Sequence, residues 1–175
     1  TEAIAFADHP LVVIASPAHP LAGACRIPLA TLATETFLVR ELGSGTRSSM
    51  ERLFADRGFE PKIGSVMSSN ETIKQAVMAG MGLAFLSRHT IGLEVQARRL
   101  VELDVVGLPL MRRWYVVRRA RRFASPATTA FVEFVVESAP GLLAELHPSV
   151  GGAPAVIEPR NRGGKREPKR RSGRP

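Results

Sequence analysis

The feature that most constrains this chain is an alternation of patterns between Phe37 and Leu86, where short apolar runs and helical periods trade places over connections of a few residues. Phe37-Leu38-Val39-Arg40 is rich in strand formers and too short for a helix, and it leads into the turn Gly43-Ser44-Gly45. From Thr46 the period becomes helical, with Met50, Leu53 and Phe54 at i, i+3 and i+4. That helix stops by Gly58, placed as a left-handed C′ residue with Pro61 beyond. Lys62 to Met67 reads as a second strand. Ser68-Ser69-Asn70 supplies capping side chains, and Ile73, Ala76 and Val77 form the stripe of a second helix. Gly80 and Gly82 end it, and Leu83-Ala84-Phe85-Leu86 is a buried strand. Strand, helix, strand, helix, strand over such short links requires right-handed parallel crossovers, so the class is α/β.

The flanks extend the pattern. Leu11 to Ala15, bounded by His-Pro and Ser-Pro, is another buried strand. A helix is expected over His89 to Arg99, then strands over Leu100 to Val105 and over Arg112 to Arg118. Trp114 and Tyr115 on the latter should pack against a last helix, capped by Ser125 with Pro126 in its first position and burying Phe131, Phe134 and Val135. Met67, Met78, Met81 and Cys25 are expected to be core filling. Hydrophobic residues make up 45% of the 175, enough for a packed core. From about Gly151 onward Gly, Pro, Arg and Lys dominate, and a disordered basic tail is expected. That tail holds eight basic and two acidic side chains from Glu158 on, so six of the eight net positive charges belong to it. The folded part is close to neutral, which argues against a nucleic-acid-binding face on the fold.

No apolar run in the sequence approaches the roughly 20 residues that cross a bilayer, and Thr1-Glu2-Ala3 does not resemble a secretory signal. Cys25 is alone, which excludes an internal disulfide and fits a reducing compartment. A cytoplasmic protein without membrane contact is expected.

Ligands of parallel sheets settle outside the carboxyl ends of the strands, where loops meet helix N-termini. Two such places are legible. In Glu41-Leu42-Gly43-Ser44-Gly45-Thr46-Arg47, glycines admit close backbone approach, free N–H groups favour an anion, and Ser44, Thr46 and Arg47 add donors. The same residues also suit a plain strand–helix turn. In Ser68-Ser69-Asn70 the two readings are a ligand contact and an ordinary N-cap. Both turns leave the same ends of a parallel sheet and so face one cleft. Catalytic alternatives are thin. His9, His19, His89 and His147 are scattered, without metal-ligand spacing, and no nucleophile elbow or NTPase phosphate loop is present. No catalytic residue, metal or cofactor is expected.

The glycines and turns also carry a family resemblance. The run Ser69-Asn70-Glu71-Thr72-Ile73-Lys74-Gln75-Ala76-Val77-Met78-Ala79-Gly80-Met81-Gly82-Leu83-Ala84 resembles a helix and Gly-x-Gly strand of LysR-type transcriptional regulators. His9-Pro10-Leu11 to Ala15 with His19-Pro20-Leu21 resembles the segment entering the second lobe of their sensor domain. Arg40 to Arg47, Leu86 to Ile91, and Gly107 to Val117 are similar to the branch that regulates the RuBisCO operon of the Calvin cycle. The resemblance runs from about His9 to Glu137. It implies a periplasmic-binding-protein-like type II fold, in which two α/β lobes joined by crossing strands close on an effector.

Residues 1–12 would be a crossing strand, 13–105 a complete second lobe, and 106–147 the return to the first lobe with its C-terminal helix; 148–175 would be the tail. Effector contacts would be Ser44, Gly45, Thr46, Arg47, Ser69 and Asn70. The effector would be a small anionic metabolite, a phosphorylated sugar or acid or an NADPH-like nucleotide. DNA would be reached only through a winged helix-turn-helix that this sequence lacks, and the complete regulator would be a homo-oligomer. Two other proteins of this architecture compete with that reading. A solute-binding protein is disfavoured by the missing signal peptide, and a prephenate-type dehydratase or deaminase by the lack of a placed acid or base.

Overall fold

The computed structural model describes residues 2–118 and 125–146. The expected tail from residue 148 lies outside the described residues. The chain opens with a long strand, β1 (Glu2–Ala15), and a single helical turn, α1 (Leu29–Leu32). The predicted alternation follows as β2 (Thr36–Arg40), α2 (Gly45–Ala55), β3 (Lys62–Met67), α3 (Asn70–Met78) and β4 (Leu83–Ser87). A 3₁₀ turn (Arg88–Thr90), α4 (Gly92–Gln96), β5 (Val101–Glu102), β6 (Leu110–Arg118) and α5 (Pro126–Leu146) complete it.

Strand order is β3-β2-β4-β1-β5, with β6 paired to β1. β2 runs parallel to both β3 and β4, as the crossovers require. β1 joins antiparallel to β4, from Leu11 opposite Ser87 to Ile14 opposite Ala84, so the sheet is mixed. The rest of β1 leaves the sheet as a two-stranded antiparallel ribbon with β6, from Glu2 opposite Arg118 to Leu11 opposite Leu110.

Each central strand reads as a continuous apolar run because helices cover both faces of the sheet. Period-two alternation sends Leu11, Val13, Phe37, Val39, Leu83 and Phe85 to one face, against Met50 and Phe54 of α2 and Leu29 and Leu32 of α1. Val12, Ile14, Leu38, Ala84 and Leu86 go to the other, against Ile73, Ala76 and Val77 of α3. Phe37 and Phe54 meet edge to face with ring centroids 5.4 Å apart. Full burial of each such side chain stabilises the fold by roughly 1.5–3 kcal/mol. Only glycine fits at position 82. Its φ is +151°, and a Cβ there would lie 2.5 Å from the carbonyl oxygen of Thr36.

Several expectations change. α2 ends at Ala55 with Asp56 as C-cap, so Gly58, left-handed as expected (φ +75°), stands one position beyond C′. The helix expected over His89–Arg99 is split into the 3₁₀ turn and the short α4, with Ile91 (φ −119°, ψ 2°) breaking it. The strand expected over Leu100–Val105 pairs as β5 only at Val101–Glu102, with an isolated bridge from Val105 to Ile27. Cys25 is exposed rather than core filling, and Met81 is 55% exposed.

α5 begins as expected, with Ser125 Oγ accepting from the Thr128 N–H. It packs on β1, but its predicted buried face is open: Phe131 is 64% and Phe134 57% exposed, and Val132 is buried instead. Although Glu133 and Glu137 interrupt it, Pro126–Glu145 is long and apolar enough, by length and composition alone, to cross a membrane. The expectation of no stretch approaching membrane-spanning length is corrected by this helix.

Candidate functional site

β2 and β3 end side by side, Arg40 opposite Met67, and the turns that follow them open on the same rim of the sheet. The Glu41 N–H donates to the Met67 carbonyl at 3.2 Å and ties the two exits together. From the first exit the chain passes through exposed Leu42 and Gly43 (φ +90°) to Ser44, the N-cap of α2. From the second it passes through Ser68 to Ser69, the N-cap of α3.

The two caps are used differently. Ser69 Oγ accepts from the N–H groups of Glu71 and Thr72, at 3.1 and 3.4 Å, so the ordinary capping reading holds for that residue. Ser44 makes no side-chain hydrogen bond to the start of α2. Its hydroxyl is not spent on the helix, and the first N–H groups of α2, at Gly45, Thr46 and Arg47, have no carbonyl of their own helix to donate to. Ser44, Thr46, Arg47, Ser69 and Asn70 are all partly accessible, and Gly45 is exposed.

Two arginines connect the turns. Arg47 Nε donates to Glu51 at 2.7 Å and its Nη1 to the carbonyl of Arg40 at 3.2 Å. Arg40 Nη1 in turn donates to Asn70 Oδ1 at 2.8 Å, while its Nε and Nη2 hold both oxygens of Glu41, each at 2.8 Å. The Arg40 guanidinium holds the Glu41 carboxyl below the usual carboxylate range, and the same pairing raises the pKa of Arg40. A third guanidinium arrives from the ribbon: Arg112 Nη1 donates to the Gly45 carbonyl at 3.1 Å and to Ser49 Oγ at 2.6 Å.

The supports of the rim are equally specific. Lys74, buried on α3, donates to Glu71 and to Glu94 of α4, both at 2.7 Å. Burial alone would lower its pKa; the two carboxylates outweigh that and raise it. Where ribbon meets sheet, the Trp114 ring lies 4.6 Å from His9 and 5.1 Å from His89, and Phe6 extends the stack. His89 Nε2 lies 3.0 Å from the Asp8 carbonyl oxygen. Burial, then the neighbouring His89 and Arg112, push the His9 pKa down.

All six residues singled out in the sequence therefore stand on one rim. Arg40, Glu41 and Arg112 were not singled out as contacts. Arg40 carries a usable signal, since the last residue of a parallel strand projects over the following turns. Arg112 lies 67 positions from the glycine it touches and had none. Among the described residues no group of three or more His, Cys, Asp or Glu converges as a metal site.

An α/β lobe with basic and hydroxyl groups around the carboxyl ends of its parallel strands defines a small-molecule-binding module. Residues 1–140 match the LysR substrate binding domain, and the chain belongs to that family. It is 56% identical over 138 residues to the RuBisCO operon transcriptional regulator of Allochromatium vinosum, covering 79% of this chain and 46% of that protein. It is 53% identical over 134 residues to the HTH-type transcriptional regulator CbbR of Sinorhizobium medicae, covering 76% of this chain and 43% of the relative. The chain thus spans less than half the length of these relatives.

Among solved structures it is similar to the CcmR regulatory domain of Synechocystis PCC6803 in complex with 2-PG, at 39% identity and a TM-score of 0.75, covering 79% of this chain and 68% of that one. The fold is also that of the QuiR effector-binding domain, at 24% identity and a TM-score of 0.68, covering 77% of this chain and 63% of that one. These regulatory domains have the periplasmic-binding-protein-like type II fold, and this chain shares it.

Proposed function

We propose that the rim between Ser44–Arg47 and Ser69–Asn70 receives a small anionic metabolite, and that its occupancy controls transcription of carbon-fixation genes through the rest of a LysR-type regulator. The observation that carries this reading is the continuous chain of hydrogen bonds from Arg47 through Arg40 to Asn70, which joins the two turns. Uncapped N–H groups of α2, the free Ser44 hydroxyl and three guanidinium groups favour a carboxylate or phosphate end group. The similarity to a regulatory domain that binds 2-PG, and to RuBisCO operon regulators, supports the same class of ligand and target.

In this reading residues 13–105 form one lobe, and the β1–β6 ribbon leads to the other, to which α5 belongs. The protein works in the cytoplasm as part of an oligomer, and closure of the lobes shifts the geometry of the assembly on its promoter. It acts by binding rather than by turnover.

A ligand that binds only the native state raises stability by RT ln(1 + [L]/Kd), about 2.7 kcal/mol at a hundredfold excess over Kd. Thermal melting of the chain with 2-PG should show a rise that grows with concentration. R47A should lose most of it. An unchanged shift in R47A removes the ligand from this rim.

A further inference from the structure

We infer that Glu41 is a built-in competitor for the effector: its carboxylate occupies the side-on edge of Arg40, and the anionic end of the ligand must displace it. The inference rests on the proposed ligand-binding reading of the rim and deepens it.

A guanidinium offers a carboxylate or phosphate its best purchase along one edge, where two parallel N–H groups meet two oxygens. On Arg40 that edge is Nε and Nη2, and both atoms already donate to Glu41, one to each oxygen. The remaining nitrogen, Nη1, is engaged by Asn70. The Arg40 guanidinium is thus oriented by Asn70 and filled by a carboxylate from its own chain. The geometry mimics a bound ligand.

That occupant is easy to remove. The Glu41 side chain is 45% exposed and that of Arg40 23%, so the pair is in contact with solvent, where such contacts hold their partners by only about fivefold or less. Besides Arg40, the carboxylate is held only by its own backbone N–H. Leu42 beside it is 79% exposed, and a Cβ on Gly43 would meet no atom within 4 Å. The backbone of Glu41 is fixed, with its N–H on Met67 and its carbonyl accepting from the Ser44 N–H at 3.2 Å. Rotation of the side chain alone therefore clears the edge.

The device selects for chemistry. An end group with two oxygens and a negative charge replaces what Glu41 offers, whereas a neutral or single-oxygen group leaves Arg40 worse satisfied than before.

The test follows the Arg40 Nε–Hε resonance and the backbone amides of Thr46 and Asn70 by NMR while inorganic phosphate is added to the chain. Arg40 should move in wild type, and E41Q should reach half-saturation at roughly a third of the phosphate concentration. In an R40K background, which keeps the charge but not the fork, E41Q should bring no gain. If E41Q gives no gain, or if its gain persists with R40K, Glu41 acts as no competitor or only as a repelling charge, and the inference falls. Movement of Thr46 and Asn70 without Arg40 likewise sinks it while leaving the rim as the ligand site. If no resonance at the rim moves in wild type or E41Q, the ligand reading falls with it. Binding by E41Q alone would support a competitor strong enough to mask the site.

Discussion

Two serines of the same type, in the same position of successive strand–helix turns, do different work. Ser69 satisfies two N–H groups of α3, and its replacement by alanine leaves them to water alone. S69A is expected to cost about 1 kcal/mol of stability. Ser44 makes no such bond, so S44A should change stability by less than about 0.5 kcal/mol while weakening the response to 2-PG. Parallel urea titrations of the two variants check the contrast, and a loss in S44A equal to that in S69A would show that Ser44 is also a structural cap. The sequence names both serines but does not separate them, because a capping residue type is visible in a string whereas the direction of its hydroxyl is not. For Arg40 the strand-end position is the one signal in the string, and its partners, one and thirty positions away, become visible only in the fold.

Among the elements, those set by their own periodicity were legible and those set by a neighbour were not. β2 and β4 each bury a continuous apolar run between two layers, so length and residue type alone identify them, whereas β3 is an exposed edge strand marked by its place between two helices. The segment after β4 carries a helical pattern too weak to survive the backbone at Ile91 and breaks in two. β1 is longer than its apolar run because its first half pairs with β6, which no local pattern announces.

The junction of ribbon and sheet is also where acid should act. His9 has a depressed pKa, with His89 and Arg112 facing it and the Asp8–Arg113 pair beside it. A base that is harder to protonate when folded stabilises the fold fully above its unfolded pKa of about 6.5. That stability is lost as pH falls from there through the folded value. The melting temperature should therefore fall on acidification below about pH 6.5, and H9F, which keeps a ring on Trp114, should flatten that part of the profile. A slope identical in H9F would place the titration elsewhere.

For the whole molecule, the carboxyl-end rule of parallel sheets found the rim, and the structure supplies what unites it: the Arg47–Arg40–Asn70 chain and the Arg112 tether from the ribbon. The open face of α5 was not legible. Periodicity reports that Phe131 and Phe134 are apolar and says nothing of what covers them. Under the proposed function, the sheet, the rim and the ribbon together form a lobe that responds to what lies between its two turns. The most direct test is a crystal structure of this chain with 2-PG, the ligand of the related CcmR domain. The account predicts ligand density within hydrogen-bonding distance of Thr46 and Asn70, with Glu41 turned away from Arg40. Density at another surface, with this rim unchanged, would contradict it.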